Sequence, residues 1–428
     1  MDTSKPVAYK EATTVDQDIT PAGCAQRVTW ERLESYVRGK AQELIQALLE
    51  EEVTELLGRG KSERRGVVDA PGGYRSGHGK PRRLTLGSGT ITVRRPRVRD
   101  LEERFESRIL PLFVRRSQEV NALIPELYLH GLAEGDFDLA LRGLLGEEAP
   151  LSASTVARLK TKWQAEMAAW NARRLDDLEV VYLWVDGVYV KAGLEDRKAA
   201  VLVLLAGLSD GRKVLLALMS GHRESAESWA SILRDVRARG LRAPRLVIGD
   251  GHLGIWAGLR QVYPEAQEQR CWNHRSLNLL DRIGKRDQPA AAALLGNLVY
   301  AATLEEAERQ KTTFQEWCRQ RGYDEAGELI DEDWERMVTF YGFPKEHWGH
   351  LRTTNPVESP FAALRLRTAA AKRFKRVDNA TAVIWKMLLI AEQRFRRLNA
   401  PDLMADVFLG VQYVNGMPVS NQPEVAAA

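Results

Sequence analysis

Residues 179–274 constrain the fold more than any other part of the chain. Three apolar runs follow one another here, EVVYLWVDGVYVKAG, RKAAVLVLLAGLSDG and RKVLLALMSGHRE, each rich in Val and Leu and bounded by Gly, Asp or Lys. Runs of that composition read as strands, and with no helical stretch between them they form a meander. The pattern then changes. SAESWASILRDVRARG has helical spacing, PRLVIGD is a fourth strand, HLGIWAGLRQVY a second helix and AQEQRC a short fifth strand. A meander followed by strand–helix–strand units predicts an α/β fold with a mixed sheet and helices over its faces. Two carboxylates stand where such a sheet would display them: Asp186 inside the first strand and Asp250 at the end of the fourth.

A third acid arrives much later. After CWNH, residues 275–350 are charged and rich in Ala, Leu, Glu and Arg at helical spacing. The chain then reaches RTTNPVESPFAALRLRT, where Glu358 falls in the first turn of a new helix. Three strands, then helix, strand, helix, strand and helix, with acids at these places, resemble the RNase H-like nucleotidyl-transferase core, in which the first and fourth strands pair at the centre of the sheet. The likeness narrows at the motifs. VDGVYV, VIGDGHLGIWAGL, QRCWNH and TTNPVES with its following basic helix, and GYRSGHGK and PRVRD upstream, are similar to the Mutator-related bacterial insertion-sequence transposases of the DDE class. It runs from about residue 72 to about residue 397, most of the chain.

The resemblance implies an RNase H-like mixed-sheet catalytic core interrupted by an all-helical insertion, behind an N-terminal DNA-binding region containing a helix-turn-helix. It implies Asp186, Asp250 and Glu358 as the catalytic residues and as ligands of two Mg²⁺ or Mn²⁺ ions. Carboxylates suit that task, because Mg²⁺ prefers oxygen ligands and a metal pair stabilises both the attacking and the leaving oxygen of an in-line displacement. The family also carries the CxxH formed here by Cys271 and His274, close to the active site. Many members have an Asn three residues after the Glu; Phe361 stands there in this chain.

Each acid also has a plainer reading. Asp186-Gly187 between apolar residues is a hairpin-turn signal. Asp250-Gly251 could simply turn the chain into the next helix. Glu358 fits the third position of a capping box, with Asn355 as N-cap and Pro356 at N1. Taken together, three coincidences in the order of one active site favour the catalytic reading. Cys271 and His274 make only half a zinc site, and neither Cys24 nor Cys318 has a paired ligand nearby.

The net charge of +4 conceals a partition. Residues 59–116 hold 16 basic and 6 acidic side chains, and residues 365–397 hold 10 and 2, so the remainder is acidic. Two cationic blocks around a nuclease-like core point to a polyanion, a nucleic acid, and the resemblance implies double-stranded DNA. The candidate DNA contacts are Arg75 and Lys80 in a basic loop, GGYRSGHGK, and Arg94, Arg95, Arg97 and Arg99 after a β-hairpin turning at Gly-Ser-Gly. Further along come Arg158, Lys160 and Lys162 on a helix, and Arg365, Arg367, Lys372, Arg373, Lys375 and Arg376 after Glu358. Guanidinium forks match phosphate oxygens.

The expected organisation runs from a disordered start (1–30) to a helix and basic hairpin (31–116) serving DNA binding or dimerisation. A helix-turn-helix (117–175) follows, its last helix capped by Ser152. Then come the first part of the core (176–274), the helical insertion (275–350), the last part of the core (351–415) and a disordered tail (416–428). Residues 32–57 read as one amphipathic helix, with Val37, Ala41, Leu44, Leu48 and Val53 on the packing face. Trp317, Trp334 and Trp348 read as packing within the insertion. Three cysteines make no disulfide framework, no run is long enough to span a membrane and MDTSKPVAYKEATT is no signal peptide, so the expectation is a bacterial cytoplasmic, nucleoid-associated protein. The expected function is binding of an element's terminal inverted repeats and metal-dependent cleavage and strand transfer, by a homodimer or higher oligomer on DNA. A junction-resolving nuclease or a domesticated, non-catalytic DNA-binding protein are the rival readings.

Overall fold

A computed structural model describes residues 29–66, 72–133, 135–146, 149, 154–192, 198–221, 225–251, 253–371 and 373–419. Ser152, Lys372, the first 28 residues and the last nine lie outside the described residues. The chain divides into two compact units, residues 1–121 with 141–150, and residues 122–140 with 151–428.

In the first unit, helix α1 (Trp30–Leu57) ends at Gly58, whose left-handed φ of 60° needs glycine or pays a steric cost. Four strands follow: β1 (Tyr74–His78), β2 (Arg82–Leu86), β3 (Gly89–Val93) and β4 (Pro96–Arg99). Strands β2 and β3 form the hairpin expected from the Gly-Ser-Gly turn, with Leu86 paired to Gly89. Strand β1 pairs antiparallel with β4, so the basic loop expected over residues 72–80 is a strand in its middle. The unit's core is Leu49 with Leu84, Ile91, Val93 and Leu110. Only the second half of α1 is buried, at Leu49, Val53 and Leu57; Val37 and Leu44, expected on the packing face, are exposed.

Helices α2 (Gln118–Leu129) and α3 (Phe137–Leu145) each cross from one unit into the other, and α4 (Ser154–Asn171) lies in the second. Gly131 and Gly146, just past the ends of the first two, have φ of 110° and 92°.

The second unit is built on a five-stranded mixed sheet: β5 (Val180–Lys191), β6 (Lys198–Leu208), β7 (Lys213–Gly221), β8 (Leu246–Gly249) and β9 (Gln267–Arg270), in the order β7-β6-β5-β8-β9. The meander β5-β6-β7 is antiparallel, and β8 and β9 add in parallel. Val185, Leu202, Leu204 and Val247 are fully or almost fully buried, which is why these strands read as unbroken apolar runs. Helix α5 (Ala226–Ala238), capped by the Ser225 hydroxyl on Ser228 N–H, and helix α6 (Leu253–Val262) cover this core through Trp229, Ile232, Leu233, Ile255, Trp256 and Leu259.

After β9 no strand occurs among the described residues until Tyr413. Helices α7 (Trp272–Leu280), α8 (Gln288–Val299), α9 (Leu304–Gln320), α10 (Asp324–Leu329), α11 (Trp334–Val338) and α12 (Trp348–Leu351) make up the intervening stretch. The tryptophans pack there as expected. Trp348 meets Phe340 and Tyr341 edge-on, Trp317 stacks on Phe314 and Tyr323, and Trp334 meets Trp272. Polar anchors fix these helices to the sheet: Tyr182 hydroxyl to His347 Nδ1 at 2.8 Å, and Gln269 to Met337 O and Phe340 N.

Helices α13 (Asn355–Glu358), α14 (Phe361–Ala371), α15 (Val377–Glu392) and α16 (Asp402–Leu409) complete the unit. A small hairpin of β10 (Tyr413–Val414) and β11 (Met417–Pro418) continues past residue 416, the expected start of a disordered tail. Among the described residues no helix is long and apolar enough to cross a membrane.

Candidate active site

The sheet register brings the first two acids together. Strands β5 and β8 run parallel with Trp184 opposite Ile248, and Asp186 and Asp250 each lie two residues further on. Asp186-Gly187 is not a hairpin turn: both residues sit inside the twelve-residue β5, paired with Val203 and Leu202. Helix α13 packs against β5 and β6 and carries Glu358.

Asp186 is the electrostatic centre. Burial pushes its carboxyl up to about 7, and the charges of Asp250 and Glu358 push the same way. The Gly187 N–H, 2.7 Å from Oδ1, and His274 oppose them. Asp250 stands on the turn leaving β8. Gly251, at φ 93°, makes that turn, and a side chain there would collide with the Arg270 guanidinium. Turning and displaying an acid are therefore both properties of Asp250-Gly251. Arg270 is buried and pairs with Asp333, which also binds Arg336 at 2.8 Å. A carboxylate of the helical stretch thus pairs with Arg270, a cation whose charge Asp250 also feels.

Glu358 is held differently from the capping box expected of it. The N-cap is Thr354, not Asn355, and Pro356 is one position further in. The Thr354 hydroxyl donates to Glu358 Oε1, while Asn355 accepts from Asn273 Nδ2 at 2.9 Å. The helix starts one residue earlier than expected, and the Thr354 N–H donates to Cys271 Sγ at 3.3 Å. Cys271 is fully buried and its own N–H reaches Gly249 O at 2.7 Å, so the CxxH ties the end of β8 to the start of α13. His274 Nδ1 lies 3.8 Å from Glu358 Oε1. Hydrogen bonding to Cys271, opposed by burial and aided by the charges of Cys271, Glu358 and Asp250, pushes its imidazole up to about 9. Ligand atoms of Cys271, His274 and Glu358 lie within 4.8 Å of one another. They are one sulfur, one nitrogen and one oxygen, a donor short of a closed tetrahedral site.

The candidate DNA contacts divide into surface and structural groups. Lys80, Arg94, Arg97, Arg99, Arg158, Lys162, Arg365, Arg373, Lys375 and Arg376 are exposed. Lys162 faces Glu166 at 3.7 Å, Arg376 faces Asp378 at 3.0 Å, and Lys160 sits 5.3 Å over the Tyr128 ring. Arg75 is engaged inside the first unit by Thr54 Oγ1 and the carbonyls of Arg59 and Gly60. Arg367 is 2% exposed, with its guanidinium 3.8 Å over the Tyr128 ring, and so presents no free fork at the surface. Within the first unit, Lys80, Arg82, Arg95, Arg97, Arg99 and Arg104 line a hollow of about 410 Å³ with no carboxylate in its lining. Burial, then Arg95 and Arg115, hold Arg82 below the usual arginine range, and Arg95 Nε is buried without a hydrogen-bond partner.

Sequence reasoning missed Thr354, Arg270, Asp333, Arg82 and Arg104. Only Thr354, beside the Asn-Pro that opens α13, carried a local signal.

Comparison with known proteins agrees with the geometry. The profile described as "Transposase, Mutator family" matches residues 20–396. The transposase for insertion sequence element IS6120 of Mycolicibacterium smegmatis is 43% identical over 297 residues, 69% of this chain and 92% of the relative. The transposase for insertion sequence element IST2 of Acidithiobacillus ferrooxidans is 38% identical, over 66% of this chain and 95% of its own length. The transposase for IS256 in transposon Tn4001 of Staphylococcus aureus is more distant, 24% identical over 72% of this chain. The chain belongs to the Mutator family of transposases, DDE-type DNA transposases of insertion sequences.

Proposed function

We propose that Asp186, Asp250 and Glu358 are the catalytic acids of an RNase H-like core that cleaves the ends of an insertion sequence and joins them to target DNA. The observation that carries this is the convergence of three carboxylates: β5 and β8 run parallel with Trp184 opposite Ile248, two residues short of Asp186 and Asp250, and α13 carries Glu358 against β5, while burial, then the charges of Asp250 and Glu358, raise Asp186 to about 7. Such a cluster is stabilised by a bound divalent cation, and its all-oxygen donors fit Mg²⁺ or Mn²⁺. When bound, a metal pair supplies an activated oxygen nucleophile and stabilisation of the departing oxygen.

The chain's own residues set the stage for that chemistry. Thr354 orients Glu358, the Gly187 N–H orients Asp186, and Cys271 couples α13 to β8. The basic hollow and the exposed arginines of both blocks hold DNA phosphates, and the helices over residues 117–171 act as a helix-turn-helix reading the element's ends. A homodimer or larger assembly brings two ends together.

The test is Glu358→Gln in the full chain, with duplexes carrying the element's ends. End binding persists, while Mg²⁺-dependent nicking and strand transfer both vanish, because one site serves both steps. A folded variant that still cleaves at the parental rate defeats the assignment.

A further inference from the structure

Downstream of α13, the second unit has a pocket that the catalytic reading leaves unused. Its volume is about 160 Å³, and its walls are Leu129 and His130 at the end of α2, Ala363, Leu366 and Arg367 on α14, Met387, Ile390 and Ala391 on α15, and Arg394 in the turn after α15. The walls are mostly apolar, yet the charged groups are all cationic or potentially so. Leu366 is 75% exposed at the rim, an unusual position for a leucine on a basic helix.

Arg367 is the informative residue. It is almost wholly buried, one face of its guanidinium rests on Tyr128, and Nη1 donates to Leu132 O at 3.3 Å. Its Nε is buried and has no hydrogen-bond partner. A guanidinium buried at a free-energy cost and held on Tyr128 fixes a positive charge in the pocket wall. The stacked plane on Tyr128 fixes the direction of its donors.

We propose that this pocket receives a single unpaired nucleotide of the bound DNA, with its base against Leu129, Leu366, Met387 and Ile390, an acceptor edge toward Arg367, and its phosphate near Arg394. Charge complementarity selects the occupant: an apolar slot floored by one cation and rimmed by another fits an aromatic base joined to an anion. Position agrees. Ala363 is five residues beyond Glu358, so the pocket's edge lies within about 18 Å of the catalytic acid along the chain. That is a few nucleotides from the scissile phosphate, at about 3.4 Å per base step in B-form DNA. The proposal rests on the DNA-cleaving reading above but concerns a separate set of side chains.

The experiment compares the full chain and two variants on paired duplexes and on the same duplexes with one unpaired 2-aminopurine nucleotide. Ala363→Phe fills the slot from an exposed helix position, and Leu366→Gln removes the apolar rim without adding charge. The parent should prefer the unpaired duplex by about tenfold, with a change in 2-aminopurine emission on binding, as expected for one buried base. Both variants should lose the preference and the emission change while binding the paired duplex as the parent does. A parent with no preference overturns the proposal, as does either variant keeping it. A change in oligomeric state in Leu366→Gln with the nucleotide preference intact would make the pocket a protein interface and also overturns it. Failure of the parent to bind the paired duplex at all would instead count against the DNA-cleaving reading.

Discussion

Asp186→Asn should make the metal-free protein more stable while destroying its activity. The carboxyl of Asp186 is raised from an ordinary 3.8 to about 7, chiefly by burial and then by Asp250 and Glu358. The sign follows from linkage. In the unfolded chain the group ionises near 3.8, but in the folded chain ionisation is opposed up to about 7. Stability contributed by this group is therefore present at low pH and lost as pH rises between those values. Roughly three units at 1.36 kcal/mol each set an upper limit of about 4 kcal/mol, and solvent relaxation brings the expectation to about 2 kcal/mol. Asparagine keeps the shape and can still accept from the Gly187 N–H, so it removes the penalty without a cavity. At about 1–2 °C per kcal/mol for a unit of this size, the melting temperature at pH 8 in EDTA should rise by roughly 2–4 °C. The difference between variant and parent should shrink as pH falls toward 4. Mg²⁺ should stabilise the parent and leave the variant nearly unchanged. An Asn variant that melts at or below the parent at pH 8 in EDTA would refute the argument, because burial and the neighbouring acids would then not be opposing the charge of Asp186.

Two further outcomes follow from the packing. Gly258→Ala should destabilise the second unit by about 1–3 kcal/mol despite alanine's better helix propensity, read as a lowered denaturation midpoint, because its Cβ would lie 2.8 Å from Ala230 N and 3.0 Å from Ala226 O where α6 crosses α5. His347 is fully buried, its Nε2–H donates to Ala400 O at 3.1 Å and its Nδ1 accepts from Tyr182, and burial holds its imidazole below the usual 6.5. Its contribution is complete above pH 6.5 and is lost as pH falls, so relative to His347→Gln the parent should lose stability as pH drops below 6.5; parallel stability profiles for the two would contradict this.

The order of elements was legible because each follows from local chemistry. The apolar runs of β5 to β7 read as buried strands, and Gly-Ser-Gly as the turn of a hairpin, from residues within a few positions. The family was legible as well, since the motifs around Asp186, Asp250, Cys271 and Glu358 are contiguous in sequence. The strand at Tyr74–His78 was not. Its residues are glycine-rich and basic, and only pairing with β4 makes them extended.

What the sequence determined, then, is which residues carry charge and which segments are strand or helix, because those depend on neighbours within a few positions. What the tertiary structure decided is how each charge is used. Arg75 and Arg367 look like their exposed neighbours in sequence, yet one braces α1 and β1 and the other lies buried on Tyr128. Arg270 meets Asp333 across 63 residues, and Thr354 meets Cys271 across 83. Such partners are set by the crossing of elements distant in sequence, and burial sets how strongly their charges act, so no local pattern encodes them.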